Sequence, residues 1–286
     1  DDSYTRFLEP KEFNQMRIDT SGELTGVGIQ IVKDKESDDL IIISPIEDTP
    51  AYDAGIKAKD KILSIDDVST EGMNIDDAVK LIRGQRGTKV KLEILRGSKS
   101  FFKVLLREKI EIKSVTSKIN QTKNGLLIGY VRIKQFNANA SRETKDAIND
   151  LETKKVAGYV LDLRSNPGGL LESSIDISRH FINKGIIVST LSKDGLRETK
   201  RGNGQALTKK PLVVLVNEGS ASASEIVSGA IKDNKRGKLV GKKTFGKGLV
   251  QSMRTLVDGS GLTVTVAKYL TPNGTDINKF GIVPDI

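Results

Sequence analysis

Leu212-Val213-Val214-Leu215-Val216-Asn217-Glu218-Gly219-Ser220-Ala221-Ser222-Ala223-Ser224-Glu225-Ile226 decides the fold of this chain. Its first five residues are all apolar, which reads as a strand buried on both faces. Small residues then make a turn, and residues 222–232 read as a helix entered at once. A strand delivered straight into a helix is the repeating unit of a parallel sheet, and the alternation extends outward in both directions. Upstream lie a strand at 129–133, a polar helix at 141–154, an apolar strand at 158–163 and, after Pro167-Gly168-Gly169, a helix at 170–182. Downstream, strands at 249–256 and 261–267 form a hairpin across Asp258-Gly259-Ser260. Residues 109–286 are therefore expected to form an α/β core.

Residues 26–108 follow a different rhythm. Short strands are expected at 26–32, 40–44, 60–66, 88–95 and 101–106. A one-turn helix starts at Thr49-Pro50 and ends at Gly55, and a second follows Asn74 with Asp76 and Asp77 in its first turn. This is a small β-rich module. Residues 1–25 show no clear period and read as a polar arm. The class is thus α/β (α+β) and multidomain, as 286 residues allow.

Composition removes several kinds of function. There is no cysteine, so disulfides, thiolate metal sites and thiol nucleophiles are excluded, and the single His180 leaves no room for a multi-histidine metal centre. No metal and no cofactor are expected. The net charge is +9, concentrated in residues 184–210 and 232–247, and is compatible with proximity to an anionic membrane surface. Aromatic residues are only 5 % and no nucleic-acid-binding signature is present, so nucleic acid is not an expected partner. The chain starts abruptly at Asp1-Asp2-Ser3-Tyr4 and stops at Pro284-Asp285-Ile286, which reads as a piece of a longer protein without its targeting segment.

Ser222 stands where a buried strand meets a helix start. That position can present a hydroxyl beside outward-facing N–H groups, the donors an oxyanion needs, but serine is also an ordinary helix cap. A nucleophilic serine requires a base. No G-x-S-x-G is present, and Glu225 occupies the place where S-x-x-K would put its lysine. His180 falls off the apolar stripe of its helix and reads as a boundary residue. Lys247 is left, in Thr244-Phe245-Gly246-Lys247-Gly248-Leu249-Val250-Gln251. An unperturbed lysine titrates near ~10.4 and must be desolvated to act as a base near neutrality. By its residues alone, Lys247 is either that base or one more cation in a basic loop.

The motifs taken together resemble the C-terminal processing peptidases, or tail-specific proteases. They are Gly219-x-Ala221-Ser222-Ala223-Ser224-Glu225, Thr244-Phe245-Gly246-Lys247-Gly248-x-x-Gln251 and Leu161-Asp162-Leu163-Arg164-x-Asn166-Pro167-Gly168-Gly169-Leu170. Tyr4-Thr5-Arg6-Phe7-Leu8 and Gly281-Ile282-Val283-Pro284-Asp285 also match, so the resemblance spans nearly the whole chain. It implies a serine endopeptidase with Ser222 as nucleophile, Lys247 as base and Gln251 as the lysine's support. It implies oxyanion donors at the N–H groups of Gly168 and Ala223, and a core of the crotonase/Clp-peptidase type. It further implies that residues 26–108 are a PDZ domain, with Gly26-Val27-Gly28-Ile29 receiving the terminal carboxylate of a protein or peptide substrate. Because members of this family are usually exported, the resemblance also implies action outside the cytoplasm, in a bacterial periplasm or envelope or a thylakoid lumen. The competing reading is a degenerate peptidase that serves as a PDZ-containing peptide-binding scaffold, and the intact Ser222, Lys247 and Gln251 set weighs against it.

Overall fold

In the computed structural model, which describes residues 4–34, 36–278 and 280–286, the chain divides into two units, residues 23–112 and residues 1–22 with 113–286. The expected divisions were at 25/26 and 108/109. Residues 1–3 of the expected arm lie outside the described residues. The rest of the arm is ordered as β1 (Arg6–Leu8) and α1 (Pro10–Ser21), and both belong to the larger unit. Pro10 opens α1, and Gly22 closes it in the left-handed conformation. Phe13 is the buried side chain of α1, and its ring occupies the place where a Cβ on Gly261 would sit. One buried residue makes no period, so this helix was not legible.

The smaller unit contains β2 (Glu23–Gly26), β3 (Ile29–Lys33), β4 (Leu40–Pro45), α2 (Pro50–Asp53), β5 (Lys61–Ile65), β6 (Val68–Ser69), α3 (Ile75–Ile82), β7 (Lys89–Arg96), β8 (Lys99–Leu106) and β9 (Glu108–Glu111). Strands β3-β4-β5-β7-β8 form an antiparallel sheet in that order, with β3 at one edge. Along β7 the alternate residues Val90, Leu92 and Ile94 are buried, and they meet Leu40, Ile42, Ile62, Ala78 and Ile82 in one core. Asn74 caps α3 by accepting the Asp77 N–H at 2.8 Å. Thr49 stands at the N-cap of α2 without a side-chain bond to the helix, and donates its hydroxyl to the Ile46 carbonyl at 2.6 Å.

The larger unit continues with β10 (Val115–Gln121), β11 (Leu127–Ile133), α4 (Ala140–Thr153), β12 (Gly158–Asp162), α5 (Leu171–Phe181), β13 (Ile186–Ser192), β14 (Arg197–Arg201), β15 (Leu212–Val216), α6 (Ala223–Asp233), β16 (Lys238–Gly241), β17 (Leu249–Thr255) and β18 (Gly261–Leu270). Strands β11-β12-β15-β16 are parallel, and β10 adds antiparallel at one edge. A second, antiparallel sheet runs β1-β18-β13-β14, with β17 also paired to β18. Side chains of β12, β15, α5 and α6 fill the core between these elements, including Leu161, Val214, Ile175, Phe181, Val227 and Ile231. The sequence reading passed over β10, β13, β14 and β16. Strand β14, Arg-Glu-Thr-Lys-Arg, has no apolar residue and exists because β13 supplies its partner. Among the described residues, no helix is long and apolar enough to cross a membrane.

Candidate active site

The turn after β15 is clamped by its own small polar residues. The Asn217 side-chain oxygen accepts the Ser165 N–H at 2.7 Å and the Gly219 N–H at 3.1 Å. Ser220 Oγ donates to the Leu163 carbonyl at 2.7 Å, and Ser224 Oγ donates to the Asn166 carbonyl at 3.0 Å. The turn at 217–224 is therefore fastened to the one that follows β12. Ser222 sits at its apex as the N-cap of α6, with φ 54° and ψ −113°. A side-chain-bearing residue rarely adopts that conformation, and such backbone strain on a strand-to-helix turn clusters at functional sites.

Gly168 explains part of the Pro167-Gly168-Gly169 motif. Its φ is +106°, and a Cβ there would lie 2.8 Å from Ser222 Cβ and 3.1 Å from the Ala223 nitrogen. Only glycine lets this turn press against Ser222. The Gly168 N–H, expected as an oxyanion donor, instead donates to Asn166 Oδ1 at 2.9 Å. The Asn166 side chain folds back onto this N–H. Ala223 is the first residue of α6, where N–H groups lack intrahelical partners.

Lys247 reaches the same place along another path. The Phe245 N–H donates to the Ser220 carbonyl at 3.0 Å, and the Gly246 and Lys247 N–H groups donate to the Glu225 carboxylate at 2.7 and 2.9 Å. Gly248 lies against the backbone of Asn278, with no room for a Cβ. Lys247 Nζ donates to Gln251 Oε1 at 3.0 Å and lies 4.9 Å from the centre of the Tyr4 ring. Burial, and after it the charge of Arg6, push the Lys247 ammonium below the ordinary lysine range. Gln251 Nε2 donates in turn to the Tyr4 carbonyl, so residues 4–6 help to build the lysine's surroundings. Among the described hydrogen bonds, Lys247 Nζ pairs with Gln251 and not with Ser222. Burial pushes the Tyr269 phenol up to about 12, with the Ser222 side chain acting against that rise.

Ser222, Lys247, Gln251, Gly168 and Ala223 are thus gathered in one unit. Tyr4, Arg6, Glu225 and Tyr269 were not singled out beforehand. The S-x-x-E spacing of Ser222 and Glu225 is a capping-box signature and could have drawn attention to Glu225. Tyr4 and Arg6 stand in the matched motif at residues 4–8, and Tyr269 comes from β18 with no local signal. His180 joins α5 to α4 through Ser141, 3.0 Å from the carbonyl and 3.1 Å from the hydroxyl, and burial lowers its pKa. Among the described residues, no three His, Asp or Glu side chains are arranged to hold a metal.

Residues 26–29 lie in the smaller unit. Gly26 ends β2, and Val27 is buried in the core. The Val27 carbonyl accepts the Ala51 N–H at 2.9 Å and the Gly28 carbonyl accepts the Ile46 N–H at 2.8 Å, so both acceptors are satisfied within the module. Gly28 has φ +81°, and a Cβ there would strike Thr49. Ile29 begins β3, the edge strand, whose outer side has no neighbour in the sheet.

Comparison with known proteins agrees with this architecture. The Peptidase family S41 model matches residues 127–286, and the PDZ domain model matches residues 15–95. All of the chain aligns at 46 % identity with a carboxyl-terminal-processing protease of Synechocystis, covering 67 % of that protein. It aligns at 42 % identity with the chloroplastic carboxyl-terminal-processing peptidase 2 of Arabidopsis thaliana, covering 57 % of it. Among solved structures, a photosystem II D1 C-terminal processing protease superposes with a TM-score of 0.61 at 38 % identity, over all of this chain and 78 % of that one. This chain belongs to peptidase family S41, among the PDZ-bearing carboxyl-terminal-processing proteases.

Proposed function

We propose that the chain cleaves protein substrates near their C-termini by a Ser222–Lys247 dyad, with the PDZ module holding the substrate's tail. The observation that carries the reading is Lys247. Its amine is half-buried and titrates below the ordinary lysine range, and its backbone N–H shares one Glu225 carboxylate oxygen with the N–H of Ser222. A lysine that loses its proton more easily than usual is what a serine nucleophile needs as base. In the reaction, neutral Lys247 turns from Gln251 to take the Ser222 proton as Oγ attacks the scissile carbonyl. The Ala223 N–H at the start of α6 donates to the oxyanion, and the Gly168 N–H joins it on exchanging Asn166 Oδ1 for the substrate oxygen. The lysine returns the proton to the leaving amine, and water then hydrolyses the acyl-enzyme.

Tail recognition rests on the edge position of β3. An extended peptide adding there continues the sheet, and the Gly26-Val27-Gly28-Ile29 loop lies at the strand end where its carboxylate would arrive. The cyanobacterial and chloroplastic relatives favour action in a thylakoid lumen or another extracytoplasmic compartment. The test is direct. Ser222→Ala, Lys247→Ala and Lys247→Arg are each expected to abolish cleavage of an unstructured substrate while thermal unfolding shows an intact fold. Lys247→Arg fails because a guanidinium stays charged. Substantial turnover by any of the three contradicts the dyad.

A further inference from the structure

We propose that Glu225 is the positioning residue that sets nucleophile and base against each other, an inference that rests on Ser222 and Lys247 holding those roles. The side chain is fully buried, and four donors converge on its carboxylate. Oε2 accepts the Ser222 N–H and the Lys247 N–H, both at 2.9 Å. Oε1 accepts the Gly246 N–H at 2.7 Å and the Thr244 hydroxyl at 2.6 Å. The backbone of the nucleophile and that of the base are therefore fixed to one atom, two hydrogen-bond lengths apart, although 25 residues separate them in sequence.

A plain helix cap would account for the Ser222 contact alone. The other three donors all come from residues 244–247 and have no part in capping α6. Thr244 extends the link: its hydroxyl accepts the Ile282 N–H at 2.7 Å, so the C-terminal motif braces the lysine loop through the same carboxylate. Only an ionised carboxylate satisfies this set, because both oxygens must accept twice. Glutamine would present its NH₂ to two donors, and aspartate is one methylene too short to hold both sides. Holding the Ser222 N–H on Glu225 also leaves the following N–H, that of Ala223, as the one at the helix start that faces a substrate oxygen. Reacting groups displaced by an ångström lose roughly 100-fold in rate, so a tether between the two backbones bears on kcat more than on substrate binding.

The experiment is active-site titration of the full chain with a small fluorophosphonate that has no peptide part, alongside peptide-cleavage kinetics. For Glu225→Gln, the expected result is labelling of every site at a rate about 100-fold lower, with kcat reduced in parallel and KM within about threefold of wild type. A protein in which fewer sites label, each at the wild-type rate, would show that Glu225 only maintains the fold and would overturn the proposal. Full labelling at the wild-type rate would overturn it as well. Should Glu225→Gln give no soluble protein, Glu225→Asp keeps the charge and is read by the same two quantities, with slow labelling expected and wild-type rates per site contradicting it. Peptide mapping of the wild-type adduct separates the two layers of the argument. A label on any residue other than Ser222 overturns the nucleophile assignment and this inference together, whereas a Ser222 label with unaltered Glu225 variants overturns this inference alone.

Discussion

Ser222 and Lys247 both occupy states that work against stability. A serine at φ 54° carries backbone strain of about 1–3 kcal/mol, and alanine at the same position keeps it. Glycine removes the strain at an entropic cost of about 0.5–1 kcal/mol. Ser222→Gly is therefore expected to unfold at a higher temperature than Ser222→Ala, with both inactive; calorimetry of the two variants checks this. For Lys247 the sign follows from linkage. Its folded pKa lies below the unfolded value of 10.5, so the native state binds fewer protons between the two, and stability falls as pH drops from 10.5 through the folded pKa. Near neutrality the buried lysine lowers stability, a cost that its proposed role as base would explain. Lys247→Met should raise stability by about 0.5–2 kcal/mol while eliminating activity, and the gain should vanish above pH 10.5. A destabilised Lys247→Met protein at pH 7 would contradict that account of the buried amine.

At the scale of elements, β1 and β3 bear most directly on function. Strand β1 pairs with β18 and carries Arg6 toward Lys247, whose surroundings also include the Tyr4 ring, Gln251 and the Glu225 carboxylate at its backbone. Removing one cation from beside another lets the second hold its proton more tightly. Arg6→Ala is thus expected to move the midpoint of the kcat–pH profile upward, and a midpoint that stays or falls would show that Arg6 does not tune the base. Strand β3 is an edge, and edges accept strands. A peptide with a free C-terminus should bind the chain more tightly than its amide, with the difference lost in Gly28→Ala, whose added Cβ collides with Thr49. Equal affinities for acid and amide, measured by calorimetric titration, would show that the loop at 26–29 does not receive the carboxylate.

Each of the two units contains a buried carboxylate held by arginine. Asp162 is fully buried. Burial alone would raise its pKa, but the side chain and N–H of Arg164 and the hydroxyl of Tyr130 hold it below 3.8. Asp60 in the smaller unit is the same case, with burial outweighed by two bonds from Arg96 at 2.6 Å and by the Lys57 N–H. For a group whose folded pKa is depressed, the stabilisation is complete above the unfolded value of 3.8 and is lost as pH falls through the folded one. Both units are therefore expected to weaken below about pH 4. Denaturant melts at pH 3 and pH 5 measure this, and Asp162→Asn should flatten the difference in the larger unit. An unchanged difference would mean that this carboxylate is not the acid-sensitive group.

Local pattern was enough for the parallel strands β12 and β15, because continuous apolar runs bounded by glycine turns have few other uses. It was enough for α3 and α6, whose caps and periods are written within a dozen residues, and for the motif set that placed Ser222, Lys247 and Gln251 in one family. What the sequence could not contain is anything made by pairing across distance. Strand β14 has no apolar residue, α1 buries a single ring, and Tyr4 meets Lys247 only after the two sheets have formed. The bond from the Gly168 N–H to the Asn166 side chain, two residues away, was likewise not legible in the motif. Glu225 marks the boundary between the two kinds of knowledge. Its spacing from Ser222 reads as a cap, and tertiary structure alone brings residues 244–247 to the same carboxylate, since only a folded chain can gather four donors from two segments around one buried charge.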